Sequence, residues 1–526
     1  MISKIQLVTS NQVKKWLTQP DEVALIDVRE LGEYSAGHPF FATPIPYSGF
    51  EYQITDLVPN PNCRMIMLDN NDGVALKAAN ACILLGYINV NILEGGIHSW
   101  QSTELELYEG VNTPSKAFGE LIEEKYHTPT ITALELTRRR ENSENIVVID
   151  GRPVSEFRKM SIPNAICCPN GELALRISSI APDPGTTIVI NCAGRTRSII
   201  GAQTLIDLGI ENPVFALENG TQGWFLSGQY LQHNKNRSYS DFSNHSDIAS
   251  SQQKANNMAL RHDVKTLSID QLYDIAKNTN RTIYVFDVRT KEEYEKDGLS
   301  FAVHAPGGQL IQSTDTWVAV RGALMVIIDS ENVRAPVVAT WLKRLGHNSA
   351  IINCSFDKLI DLTEAFTKQI QPPPKSIETI KLHELDMRRK WNIIDIRPSM
   401  KYRKAHINGS TWGNRPRIDQ LQINPNDNLL LISESVSKAT LFELEARHMG
   451  HSGEIKNLDS GIEDLKHSAF TIVSTPDYPP DEDCIDFIFH THDRHKGNAD
   501  SAKAYLKWET QLVSQLHESE RKTFQI

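Results

Sequence analysis

The strongest constraint on the fold of this chain is a motif that returns four times. A short apolar run rich in β-branched residues ends in Asp-x-Arg at 24–29, 147–152, 284–289 and 392–397. The four aspartates, Asp27, Asp150, Asp287 and Asp395, lie 123, 137 and 108 residues apart, about one domain length each. Each is followed by an amphipathic segment carrying Glu33-Tyr34, Glu156-Phe157, Glu293-Tyr294 or Lys401-Tyr402. Then come another apolar strand, a loop, and a helix that closes on Gly86, Gly209, Gly346 or Gly450. Glycine is expected there because a helix often ends in left-handed backbone. A further strand follows, and in two repeats it enters a Gly/Trp turn, at 93–100 and 217–224. Strands alternating with helices at these lengths predict parallel α/β domains.

Breakers between the repeats divide the chain. The expected boundaries are 1–115, 116–237, a flexible linker at 238–261, then 262–371 and 372–470, with a tail at 471–526. The linker expectation rests on the Ser/Asn/Asp-rich stretch 238–251, and Pro372-Pro373-Pro374 predicts a stiff spacer. In the tail, Ala502, Leu506, Trp508, Leu512 and Leu516 predict an amphipathic helix from Asn498, packed on the second or fourth repeat.

The second repeat carries the chemistry. Its second apolar run, 187–191, stops at Cys192, and Ala193-Gly194-Arg195-Thr196-Arg197 leads into helical spacing from Ser198. A strand–loop–helix of this kind turns several N–H groups inward at the positive end of the helix. That setting, with Arg195 and Arg197 beside it, favours a thiolate. The glycine-ended helices serve as a ruler for the other repeats. The position of Cys192 falls on Asp69, Asp329 and Ser433, and that of Arg197 on Val74, Arg334 and Lys438. The fourth repeat needs a four-residue adjustment between its Asp and this position.

The Asp-x-Arg strand, the six-residue loop 192–197, the Gly-ended helix and the Gly/Trp turn, in that order, resemble the rhodanese family of sulfurtransferases. The resemblance implies four tandem modules, each a five-stranded parallel sheet flanked by helices, plus a C-terminal helical tail. It implies one active module, with Cys192 as nucleophile and Ala193, Gly194, Arg195, Thr196, Arg197 and Ser198 as the substrate-binding loop. Asp150 and Arg152 are expected as structural support; Arg195 and Arg197 are expected to attract the anionic donor, and Arg197 also to brace the loop by pairing with a carboxylate such as Asp150 or Glu218. The implied reaction moves sulfane sulfur from thiosulfate or a similar small donor, through a Cys192 persulfide, to cyanide or a thiol, a protein acceptor included. The absence of a Cys-Gly-Ser-Gly-Val-Thr string favours thiosulfate over 3-mercaptopyruvate.

Two other readings stand beside this one. A scaffold or sensor could hold the persulfide without turnover. A cysteine-dependent phosphatase uses a similar loop, but only four residues, 193–196, separate Cys192 from Arg197, one fewer than those enzymes place there. Neither cofactor nor metal is expected. The cluster His490, His492 and His495 matches no paired zinc spacing. Cys167-Cys168 reads as strand packing, with a resolving thiol as the alternative.

Bulk properties exclude several classes. A net charge of −11 argues against nucleic acid as a partner. The chain has no apolar run of about 18 residues, so no membrane span is expected. The polar N-terminus is unlike a secretory signal, and seven cysteines are too few and odd for a disulfide framework. The expected compartment is the cytoplasm.

Overall fold

The computed structural model describes residues 5–526 except 101–103, 240–244, 278–279, 353, 355, 367–373, 466–468 and 495–496. It contains four five-stranded parallel sheets, one per repeat, with helices between the strands. In the second repeat the strands are Thr130–Ile131, Ile146–Asp150, Ile166–Cys167, Thr187–Asn191 and Val214–Leu217. Their spatial order is first, fifth, fourth, second, third, and the other three sheets repeat it. The central strand lies between neighbours on both sides, in register from Ile146 opposite Thr187 to Asp150 opposite Asn191. Such strands are covered on both faces, which is why they read as continuous apolar runs; Leu324–Ile328 is buried at every residue. The glycines that end the loop helices all have positive φ: 99° at Gly86, 67° at Gly209, 97° at Gly346 and 90° at Gly450.

The chain forms two compact units. One contains Met1–Lys15, Ala24–Gly110 and Gln369–Phe489, hence the first and fourth sheets. The other contains Trp16–Val23, Val111–Lys368 and His490–Ile526, hence the second and third. The tail is therefore split between the units at 489/490. In the first unit, Arg415 donates to both carboxylate oxygens of Glu51 at 2.6 and 2.7 Å and lies over the Tyr47 ring at 3.9 Å. In the second, Arg334 donates to Glu172 at 3.0 Å, Trp341 Nε1 to Thr204 Oγ1 at 2.9 Å, and Arg344 to Asp207 at 2.9 Å. Close backbone contact at Gly171, whose Cβ would lie 2.7 Å from the Gly308 nitrogen, joins the same two modules.

Two expectations need correction. Of the stretch 238–261, expected as a flexible linker, His245–Arg261 is a helix, and 240–244 lie outside the described residues. Ala255, Met258 and Ala259 are buried at helical spacing, and Gln252 donates to the Glu331 carbonyl at 2.6 Å. Exposed Ser250, Gln253 and Asn257 beside this stripe hid it in the composition. The second correction concerns the start of the second module. The helix Thr113–Tyr126 begins ahead of the 115/116 boundary and is buried from Ser115 to Ile122. Of the proline spacer, Pro372 and Pro373 lie outside the described residues. The four-residue shortening of the fourth repeat also has a structural cause. A 3-10 segment, Arg415–Gln420, stands where the second repeat has the helix Leu173–Ile180. Among the described residues, no helix is long and apolar enough to cross a membrane.

Candidate active site

The strand Thr187–Asn191 delivers Cys192 to the C-terminal edge of its sheet, and the helix Thr196–Asp207 begins four residues later. This edge is where open α/β sheets place their sites. The loop is fixed by its own backbone. The Cys192 carbonyl accepts from Thr221 N at 2.8 Å and Thr221 Oγ1 at 2.7 Å, and the Ala193 carbonyl from Gln222 N at 3.1 Å. Gly220 makes this approach possible. Its φ is +52°, and a Cβ there would lie 2.5 Å from the Cys192 carbonyl oxygen.

Asp150 and Arg152 brace the neighbouring strand end. Arg152 grips Asp150 at 2.8 and 2.7 Å and donates to the Met160 carbonyl at 2.7 Å. Asn191 Nδ2 reaches the same carboxylate at 2.8 Å. The brace recurs at Asp27–Arg29, Asp287–Arg289 and Asp395–Arg397. It stands equally beside three strand ends that lack a cysteine.

Both loop arginines pair with carboxylates, though Arg197 does so with neither of the two named as examples. Arg197 pairs with neither Asp150 nor Glu218 but with Glu156, both contacts at 2.8 Å. Arg195 holds Glu120 through two 2.8 Å bonds and also contacts Glu123 and Asn219. Both are committed to carboxylates, so they brace the loop rather than stand as free cations. Burial opposes the charge of Arg197, but Glu156 and Cys192 outweigh it and raise its pKa. Burial pushes Glu120 up to about 7 against the pull of Arg195.

Of the other loop residues, Ala193, Thr196 and Ser198 are buried, as is Cys192, which is 2 % exposed. Cys167 and Cys168 are not beside it. Cys167 lies on the edge strand beyond Asp150. Burial pushes its thiol up to about 12 and raises that of Cys168 as well, as suits packing residues. In the tail, His490 meets the Trp508 ring edge-on, while His495 lies outside the described residues. Among the described residues, no His/Cys/Asp/Glu group is arranged to hold a metal.

The tail helix packs on the second repeat, one of the two expected places, but sequence reasoning missed that it covers the loop. The tail helix Ala499–Gln515, capped by Asn498, packs on Thr113–Tyr126 and places Tyr505 and Glu509 over Gly194. A Cβ at Gly194 would lie 2.9 Å from Glu509 Oε2 and 3.0 Å from Tyr505 Cε1. Glu509 Oε1 accepts from Thr196 Oγ1 at 2.6 Å and from Lys116 Nζ at 3.2 Å. Burial opposes ionisation of Glu509, but Lys116 and Thr196 more than compensate and lower its pKa. One signal was available: Glu509 is a charge on the buried stripe of Ala502, Tyr505, Trp508 and Leu512.

The equivalent strand ends complete the picture. Asp69 accepts from the N–H groups of Asn71, Gly73 and Ala75 at 2.9, 3.1 and 2.9 Å. Asp329 accepts from Val333 and Arg334 at 3.0 and 2.9 Å. Ser433 exchanges hydrogen bonds with Ser435 at 2.8 and 2.9 Å. Arg334 is fully buried among Glu172, Glu293, Glu331 and Asp329, which closes it to an outside anion.

A model of the rhodanese-like domain matches residues 9–103, 132–227 and 379–468. A crystal structure of thiosulfate sulfurtransferase from Pseudomonas aeruginosa superposes with a TM-score of 0.86 at 34% identity, covering 99% of each chain. The chain belongs to the rhodanese family. The third rhodanese-like sheet, in 262–371, falls outside the family-model matches and is visible in the fold alone. An HTH-type transcriptional regulator from Mycobacterium tuberculosis is 35% identical over 98 residues, 19% of this chain. The chain spans 42% of that protein's length. A rhodanese-related protein from Thermoplasma volcanium matches 20% of this chain and 97% of its own at 26% identity, with a TM-score of 0.18.

Proposed function

We propose that the chain is a sulfurtransferase that carries sulfane sulfur on Cys192. The observation that carries this reading is the set of four equivalent strand ends: Cys192 stands where the others have Asp69, Asp329 and Ser433. A carboxylate or hydroxyl cannot form a persulfide. Similarity along 99% of the chain to a thiosulfate sulfurtransferase adds weight.

The Cys192 thiolate attacks the outer sulfur of thiosulfate. A new S–S bond forms, the old one breaks, and sulfite leaves with the bonding pair, so Cys192 becomes a persulfide. The N–H groups of Ala193 through Ser198 spread its negative charge. Cyanide, or a cellular thiol or protein thiol, then takes the outer sulfur and restores the thiolate. The balance needs no redox cofactor or metal. Arg195 and Arg197 hold the loop through their carboxylate partners, and Asp150 and Arg152 hold the strand end. A reducing compartment such as the cytoplasm keeps the thiol available.

Thiosulfate-to-cyanide transfer by Cys192→Ser tests the proposal. The expected result is loss of ping-pong turnover by at least about a thousandfold with an unchanged melting temperature. Retained activity overturns it. The 2 % exposure of Cys192 favours one second reading, a carrier that loads but turns over slowly. A stoichiometric persulfide without thiocyanate production would identify that case.

A further inference from the structure

The amide four residues past the strand end finds a carboxylate in three of the four modules. In the first it is Gly73 N, given to Asp69 at 3.1 Å; in the third, Val333 N, given to Asp329 at 3.0 Å. In the catalytic module it is Thr196 N, and the carboxylate 3.5 Å away is Glu509, brought from the tail. Two modules thus carry a built-in carboxylate at the start of the loop helix. The catalytic one has its anion on a separate element.

Unsatisfied polarity gathers at the same place. Gln222 is 1 % exposed, and neither its Nε2 nor its Oε1 makes a hydrogen bond. Glu509 Oε2 is likewise buried and unbonded. Both Gln222 Nε2 and Glu509 Oε2 lie within 4 Å of where a Gly194 Cβ would stand, at 3.7 and 2.9 Å. Buried polar atoms without partners cost free energy, and here they converge on the mouth of the Cys192 loop. Lys116, 9 % exposed, adds a cation whose recorded ion-pair partner is Glu509.

We propose that Glu509 is a resident stand-in for the donor's anionic group. An oxyanion-bearing sulfur donor displaces its carboxylate from Thr196 and Lys116, and these two groups with Gln222 then bind the donor. The tail helix is therefore part of the donor site, and Glu509 sets which charges reach Cys192. This rests on the sulfurtransferase reading, but its test does not need sulfur transfer.

The probes are iodoacetate and iodoacetamide, which differ in charge, reacted with the full chain and followed by mass spectrometry on the peptide containing Cys192. Glu509→Gln should raise the iodoacetate-to-iodoacetamide rate ratio about tenfold, the scale of one nearby charge in a partly screened site. Lys116→Met should lower that ratio by about the same factor and serves as the second variant where the first fails to fold. An unchanged ratio, equal acceleration of both reagents, or a Cys192 that no variant opens to either reagent overturns the proposal. Equal acceleration would mean that Glu509 merely ties the helix down. Absence of thiocyanate production would instead count against the enzymatic reading, with the alkylation ratio still deciding this one.

Discussion

The second and third modules share one sheet order, one Asp-Arg brace and one helix after the central strand, yet one strand ends in a thiol and the other in a carboxylate. In the third module, Asp329 takes the loop amides for itself and Arg334 is sunk among four acidic groups. In the second, the loop arginines pair with the half-exposed Glu156 and the buried Glu120, and the strand end carries a thiol. The difference teaches that the scaffold and the chemistry separate cleanly. The brace is present where no cysteine follows the strand, and the arginine at the matching loop position is a strut between modules through Glu172.

The largest expected effect tests the shared brace. Asp150→Ala leaves Arg152, 1 % exposed, with a buried unpaired charge and should cost about 3–5 kcal/mol in denaturant unfolding. Asp287→Ala should cost less, because Arg289 keeps Asp297 at 2.7 Å. Equal costs would show that the second partner contributes nothing. Next, Gly220→Ala forces a Cβ to 2.5 Å from the Cys192 carbonyl. A loop displaced by about 1 Å should lower kcat/KM about a hundredfold; near-normal kinetics would mean that loop placement is not limiting.

A pH effect distinguishes the first module from the second. His38 and Ser161 occupy matching bridges, to Tyr108 and Gln232. Burial pushes His38 down to about 3, so the fold holds it neutral. The unfolded chain protonates it near pH 6.5, so its contribution to stability is intact above that pH and declines as pH falls towards 3. At pH 5 the loss should be about 2 kcal/mol, and His38→Ser should remove that acid sensitivity from the unfolding curve. The smallest effect is expected from Glu156→Gln. The Arg197 pair is partly exposed on the Glu156 side, so kcat/KM should fall about fivefold, roughly 1 kcal/mol. A fall as large as that of Gly220→Ala would make Arg197 more than a brace.

The fold was legible because its signals are local. Apolar runs ending in Asp-x-Arg, helices closing on glycine and the Gly/Trp turn each depend on a few adjacent residues, and all four sheets follow from them. The cysteine ruler worked for the same reason: 69, 192, 329 and 433 each directly follow a central strand. What escaped was set by distance in sequence. Glu509 meets Thr196 across 313 residues and Lys116 across 393, and only packing of the tail brings them together. The partner of Arg197 was missed because several carboxylates were near enough in sequence to serve. The helix His245–Arg261 was missed because polar composition outweighed a narrow apolar stripe.

The central claim, that sulfur is carried at one of four equivalent strand ends, is tested most directly by locating the sulfur. The full chain treated with thiosulfate and quenched before acceptor is added should show one extra sulfur atom, on the peptide containing Cys192, and acceptor should remove it. Sulfur on Cys354, Cys484 or any other cysteine, or none at all with turnover intact, would contradict the account.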